Sequence, residues 1–148
     1  MGTALVALLL TSSRALAAQT VAVSGNPSAF VVNAAVAGSQ PAAISNSTTT
    51  YTVNTPSPGN NKYQVTAQLN AAMPVGTTLS ATFAVPTGSL GTSSGAIPLT
   101  VTAQTLVYNI KKNFSGTAGI TYQFAATVSA GVISSTTRTV TLTITTYP

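Results

Sequence analysis

The sequence predicts an all-β chain, a single antiparallel β-sandwich of about seven strands. Three observations carry this. Apolar and polar residues alternate with a period of two in several stretches. Clusters of Gly, Pro, Asn and Ser separate those stretches. No helical period of useful length occurs after residue 20. Alternation puts one row of side chains on a buried face and the other on solvent, which a strand achieves and a helix does not.

The elements follow in order. Val21-x-Val23 is a short apolar run that leads into Gly25-Asn26-Pro27. In Ser28–Ala37, Phe30, Val32, Ala34 and Val36 share one parity. Thr48–Asn54 is a less regular strand, closed by the turn-forming Thr55–Asn61 (TPSPGNN). Tyr63, Val65, Ala67, Leu69 and Ala71 then alternate with Gln64, Thr66, Gln68 and Asn70, the pattern of a half-buried strand. Met73–Gly76 is a turn, and Leu79, Ala81, Phe83 and Val85 resume the alternation. Pro86–Gly95 reads as a loop. Ala96–Ile110 changes parity near Gln104–Thr105, which predicts a bulge or two short strands. After a turn at Asn113–Gly119, Ile120, Tyr122, Phe124, Ala126 and Val128 form one face. The last strand has Val140, Leu142 and Ile144 opposed by Thr139, Thr141, Thr143 and Thr145. Domains of this size and strand number are most often sandwiches of immunoglobulin-like architecture, and a closed barrel is the alternative.

Composition excludes whole classes of chemistry. The 148 residues include no Asp, Glu, His or Cys. General acid–base catalysis mostly uses His, Glu or Asp, and protein-bound metals are held mainly by Cys, His and carboxylates. No catalytic residue, metal or cofactor is therefore expected. A Ser or Thr nucleophile would need a desolvated lysine as its base. Lys62, Lys111 and Lys112 all lie at turn edges beside Asn or Gly, where lysine is solvated. The net charge of +5 comes from these three lysines with Arg14 and Arg138. Nucleic-acid binding needs grouped cations, so no nucleic-acid partner is expected. Apart from the chain termini, nothing titrates between strong acid and about pH 9. The fold is thus expected not to feel the carboxylate protonation that drives most acid denaturation. Low charge also suits copies packed closely against one another.

Residues 1–17 have the pattern of a secretory signal. Ala4–Leu10 is a short apolar run, and Ala15-Leu16-Ala17 is a small-residue cleavage site. The n-region, Met1-Gly2-Thr3, departs from the pattern in carrying no cation. No later apolar stretch approaches the length of a membrane span. The expected organisation is a signal at 1–17, an N-terminal extension at 18–27 and the sandwich at 28–148. The mature chain is expected outside the cell.

Two segments stand out as interaction sites. Arg138–Pro148 (RTVTLTITTYP) has a threonine face with no charge beyond Arg138. Natural edge strands are usually blunted with Lys, Pro or bulges, so a long uncharged edge invites pairing with another chain. The alternation fits a central strand equally well. Ala18–Ser24, followed by the Gly-Asn-Pro break, suits a strand that swings out to complete a neighbour's sheet. It also suits the first strand of its own domain.

In these features the chain resembles secreted pilin and filament subunits joined by donor strands. These are the chaperone–usher fimbrial subunits and the TasA-like or archaeal bundling-pilus subunits. The resemblance is one of outline: a signal-like start, a β-branched N-terminal extension and a strongly alternating last strand. Penultimate Tyr147 is similar to the aromatic near the end of many chaperone–usher pilins. It falls, however, on the opposite parity from Val140, Leu142 and Ile144, and the usual subunit disulfide is absent. The resemblance implies a pilin-like sandwich that polymerises with copies of itself into an extracellular filament. An assembly chaperone is left open. Val21 and Val23 would be the donor residues, and Val140, Leu142 and Ile144 would line the acceptor groove. The alternatives are a secreted monomeric binding module for carbohydrate or surface adhesion, and a surface-layer or capsid subunit. A carbohydrate module would want a row of exposed aromatics. Tyr51, Tyr63, Tyr108 and Tyr122 mostly alternate with core positions, which points to packing.

Two sequons complete the inventory. Asn46-Ser47-Thr48 and Asn113-Phe114-Ser115 are N-x-S/T acceptors in or beside expected loops.

Overall fold

The computed structural model describes residues 18–32, 39–56 and 61–148. The signal-like segment and the second half of the expected strand at 28–37 lie outside them, as does most of the TPSPGNN turn.

Among the described residues, nine strands form two antiparallel sheets: β1 (Thr20–Ser24), β2 (Ile44–Thr55), β3 (Lys62–Leu69), β4 (Thr77–Phe83), β5 (Thr92–Ser93), β6 (Ile97–Pro98), β7 (Gln104–Ile110), β8 (Phe114–Ala126) and β9 (Val140–Tyr147). Sheet one has the order β1-β2-β8-β4-β6 and sheet two the order β5-β7-β3-β9. The two pack face to face, so the fold is a β-sandwich. The strand number exceeds the expected seven because the Pro86–Gly95 loop and the Ala96–Ile110 segment hold two-residue strands, β5 and β6. A single 3-10 turn, Val128–Ala130, follows β8. No helix among the described residues is long and apolar enough to cross a membrane.

The alternating runs form as strands and bury their apolar parity. Tyr63, Val65, Ala67 and Leu69 of β3 face inward, as do Leu79, Ala81 and Phe83 of β4, and all are buried. The parity change in the 96–110 segment has a physical origin in β7. Its pairing with β3 shifts register on both sides of Val65, so that consecutive Leu106 and Val107 are both fully buried. Asn109 takes φ +62° beside the irregularity, a conformation that Asn tolerates better than most residues.

Sheet one is tied across its width by Tyr51 of β2. Its ring meets Phe83 of β4 at 4.9 Å between centroids, tilted by 52°. Its hydroxyl donates to Ala84 O at 2.6 Å. β8 runs between these strands, and its residue opposite Tyr51 is the small Ala118. Room for the ring comes from that small side chain. Phe114 fills the end of the same face, its ring lying where a Cβ on Gly116 would come within 2.5 Å. Gly116 therefore cannot carry a side chain while Phe114 keeps this position.

Segment 28–32 is not a strand. Phe30 packs instead on Phe124 of β8, at 6.1 Å between ring centroids.

Among the described residues, one buried side-chain polar atom is unsatisfied: Thr49 Oγ1, at the β2 bulge, has no hydrogen-bond partner. A buried hydroxyl without a partner costs about 1–3 kcal/mol. Thr49→Val keeps the shape and removes the hydroxyl. It is expected to raise unfolding stability by about 1 kcal/mol, read as a higher urea midpoint at unchanged slope.

The pH profile follows from composition and burial. No Asp, Glu or His is present to titrate in the acid range. Burial pushes the Tyr51 and Tyr122 phenols above their ordinary value. Above about pH 10 the unfolded chain releases protons that these folded tyrosines keep, so stability falls as pH rises. Urea midpoints are expected to be flat from about pH 4 to 9 and to drop beyond about pH 10. Tyr51→Phe is expected to reduce the alkaline drop.

Candidate functional site

The two flanks of the sandwich are unlike. One ends in β6 and β5, each two residues long, with Pro98 in β6. Short strands and proline are how natural sheets protect an edge. The other flank ends in β1 and β9, of five and eight residues. Neither carries a charged residue.

β1 pairs with β2 of its own chain, with Val21 opposite Val53 and Val23 opposite Tyr51. Residues directly opposite in an antiparallel pair share a face, so both valines face the core. They nevertheless cover it incompletely. Val21 is half-buried against the core, and Val23 is 49% exposed. β1 supplies none of the fully buried side chains. What holds it is its ladder, at about 1 kcal/mol net per hydrogen bond.

The chain leaves β1 through Gly25 at φ +79°. A Cβ there would stand 2.8 Å from Thr48 O, so this exit needs glycine. Ser28 then anchors the connection by accepting a hydrogen bond from Asn46 Nδ2 at 3.1 Å.

β9 pairs with β3 from Val140 opposite Leu69 to Tyr147 opposite Lys62. Among the described residues it has no other strand neighbour. Asn70 donates its backbone N–H to Thr139 O at 3.0 Å. By the two-residue period, the backbone groups of Thr141, Thr143 and Thr145 turn toward β3. Those of Val140, Leu142 and Ile144 turn toward the free edge. The side chains of these three face the core, Ile144 being buried and the other two half-buried.

The structure thus brings both expected groups to one flank, in different sheets. Val21 and Val23 lie in sheet one beside β2, and Val140, Leu142 and Ile144 lie across the open side in β9. The strand hydrogen-bonded to β1 is β2, a partner that the sequence reading did not single out. No local signal marks it, because Thr50–Asn54 has the same composition as other Thr-rich strands here.

The sequons separate clearly. Asn46 lies within β2 rather than in a loop. Its Oδ1 accepts from the Thr48 N–H and Oγ1 at 3.1 and 2.8 Å, while its Nδ2 is bonded to Ser28. Asn113 is exposed in the turn between β7 and β8, at φ +51°.

Sequence alternation also misassigns one aromatic. Tyr51, Tyr63 and Tyr122 are buried as expected, but Tyr108 is half-buried and stacks on Tyr147 at 5.3 Å between centroids, tilted by 35°. Tyr147 shares the outward parity of Thr141, Thr143 and Thr145, so this pair lies on the outer face of sheet two. The bulged register of β7 moves Tyr108 there.

No protein-family model matches the chain, and no curated protein and no solved structure does. The residues of the open flank therefore carry the functional argument unaided.

In a host that glycosylates exported proteins, Asn113 is expected to be modified and Asn46 to remain bare. Peptide mass spectrometry of the secreted chain reads this directly. Asn113→Gln is expected to remove the glycan mass, and Asn46→Gln to leave it unchanged.

Proposed function

We propose that this protein is a structural subunit of an extracellular filament, polymerising by β-strand complementation between copies. Residues 18–24 of one copy leave their place beside β2 and fill the same place on the next. Val21 and Val23 then lie over Val53 and Tyr51 of the neighbour, and main-chain bonds to Thr50–Asn54 repeat those made within one chain. Val140, Leu142 and Ile144 line the other side of the slot. Such head-to-tail pairing gives an open polymer when the rotation between successive copies does not close a ring.

The observation that supports this reading is the contrast between the flanks. One is blunted, while the other presents two uncharged edges (β1 and β9) with a partly exposed valine between them. The connection from β1 to β2 adds to it. The strand leaves through a glycine, and Gly25-Asn26-Pro27, before the anchor at Ser28, would be the hinge of the exchange. The acid-free composition is consistent with dense stacking, since few like charges repel. Export rests on the signal-like segment at 1–17. No enzymatic role is proposed for a chain without the common acid–base residues.

Deletion of residues 18–24 tests the proposal. The truncated chain is expected to keep its β-rich circular dichroism and to form no fibres by electron microscopy. Val21→Asp with Val23→Asp, which places charges over the core, is expected to do the same. Fibres at normal yield from either variant would refute the donor assignment.

A further inference from the structure

Beyond assembly, we infer that the outer face of sheet two binds an acidic saccharide, a uronate-bearing chain, at the end marked by Tyr108, Tyr147 and Lys62. Three observations converge there. The first is the aromatic pair: two half-buried tyrosines stacked on an outer face whose other β3 and β9 side chains are threonine, glutamine and Lys62. Tyr51, Tyr63 and Tyr122, by contrast, are buried on inner faces. Outward rings offer the C–H-binding surface that sugar rings use, with a polar hydroxyl at the rim.

The second is a polar strip fixed beside the rings. Gln64 on β3 accepts from Thr105 Oγ1 at 3.3 Å and donates to Thr145 Oγ1 at 3.3 Å. This bridge crosses from β7 through β3 to β9. It holds an amide and two hydroxyls in place for sugar hydroxyls, which lowers the cost of ordering them on binding.

The third is charge. An open cleft of about 500 Å³ is lined by Asn61, Lys62, Thr146, Tyr147 and Pro148. Lys62 is its one basic side chain, and it stands opposite Tyr147 in the ladder. The chain has no Asp or Glu, so no side-chain carboxylate pairs with it. A carboxylated sugar meets an ammonium and a ring together. A nucleic acid needs several grouped cations, which this face lacks.

Titration of the folded full chain with tetragalacturonate tests this, with maltotetraose as the uncharged control. The chain has five Tyr and no Trp, so intrinsic fluorescence reports tyrosine alone. A saturable change with tetragalacturonate is expected, weakened by added NaCl. Lys62→Gln is expected to weaken binding about threefold, the scale of an exposed ion pair. Tyr147→Ala is expected to weaken it about tenfold, and Tyr147→Phe to restore it, since the ring face is what binds. Tyr108→Ala replaces Tyr147→Ala if circular dichroism shows that variant to be unfolded. Absence of saturation overturns the proposal. So does unchanged affinity in the variants, or equal binding of maltotetraose. Equally tight binding of a single-stranded oligonucleotide would reduce the effect to general attraction of anions, and overturn it too. None of these outcomes touches the donor-strand reading, which the fibre assay decides separately.

Discussion

The structure hangs on the inward row of β2, and on Tyr51 above all. Its ring against Phe83 and its hydroxyl on Ala84 O span sheet one from β2 to the end of β4. Everything nearby is arranged around that reach. The residue of β8 beneath the ring must be small, and Ala118 is. The same strand face supplies the partners of β1, so the edge of the sheet inherits its register from the core. A buried phenol with a satisfied hydroxyl gives both apolar area and a fixed direction. Buried Thr55 supplies a second directional tie, its hydroxyl donating to Lys111 O at 2.9 Å and accepting from the Phe114 N–H at 3.1 Å.

The two flanks show how one domain can be both protected and open. Edge strands are a hazard because their unpaired groups template the next chain. Two-residue strands and Pro98 remove the hazard on one side. On the other, β1 fills the edge of sheet one with little buried area, and β9 offers eight residues without charge. A strand that contributes a ladder but no fully buried side chain is a removable part. The core keeps its own side chains when β1 leaves, since they belong to β2, β3, β4, β7, β8 and β9, with Leu99 after β6.

Much of the fold was legible in the sequence, for a physical reason. Where a strand is buried on one face only, parity is written into the residues, and β3, β4, β9 and the second half of β8 were read directly from it. The first half of β8 was not. FSGTAG looks like a turn, yet Gly116 and Ala118 are small because Phe114 and Tyr51 need the space. Ile44–Ser47 was missed because its polar residues pair through the backbone with Phe124–Tyr122. The site was legible in part. Val21, Val23, Val140, Leu142 and Ile144 stand out in the sequence as candidate interaction residues, but their neighbours depend on register between distant strands. Tyr108 could not be assigned to the outer face, because a bulge inverts parity and leaves no mark in composition.

The outer face of sheet one has a further consequence. Thr52 and Thr117 meet across β2 and β8 with their hydroxyls 2.7 Å apart. Thr82 and Thr121 are paired across β4 and β8, as are Ser80 and Gln123. The outward side chains of these strands are hydroxyls and amides with no ion among them. Such a surface gathers no counterion cloud. Its compatibility with water rests on hydration of neutral groups, so sodium chloride, which acts by screening, has little to act upon. Sulfate, which is excluded from protein surfaces, drives such faces together. Association through this face is thus set by the kind of salt present rather than by ionic strength.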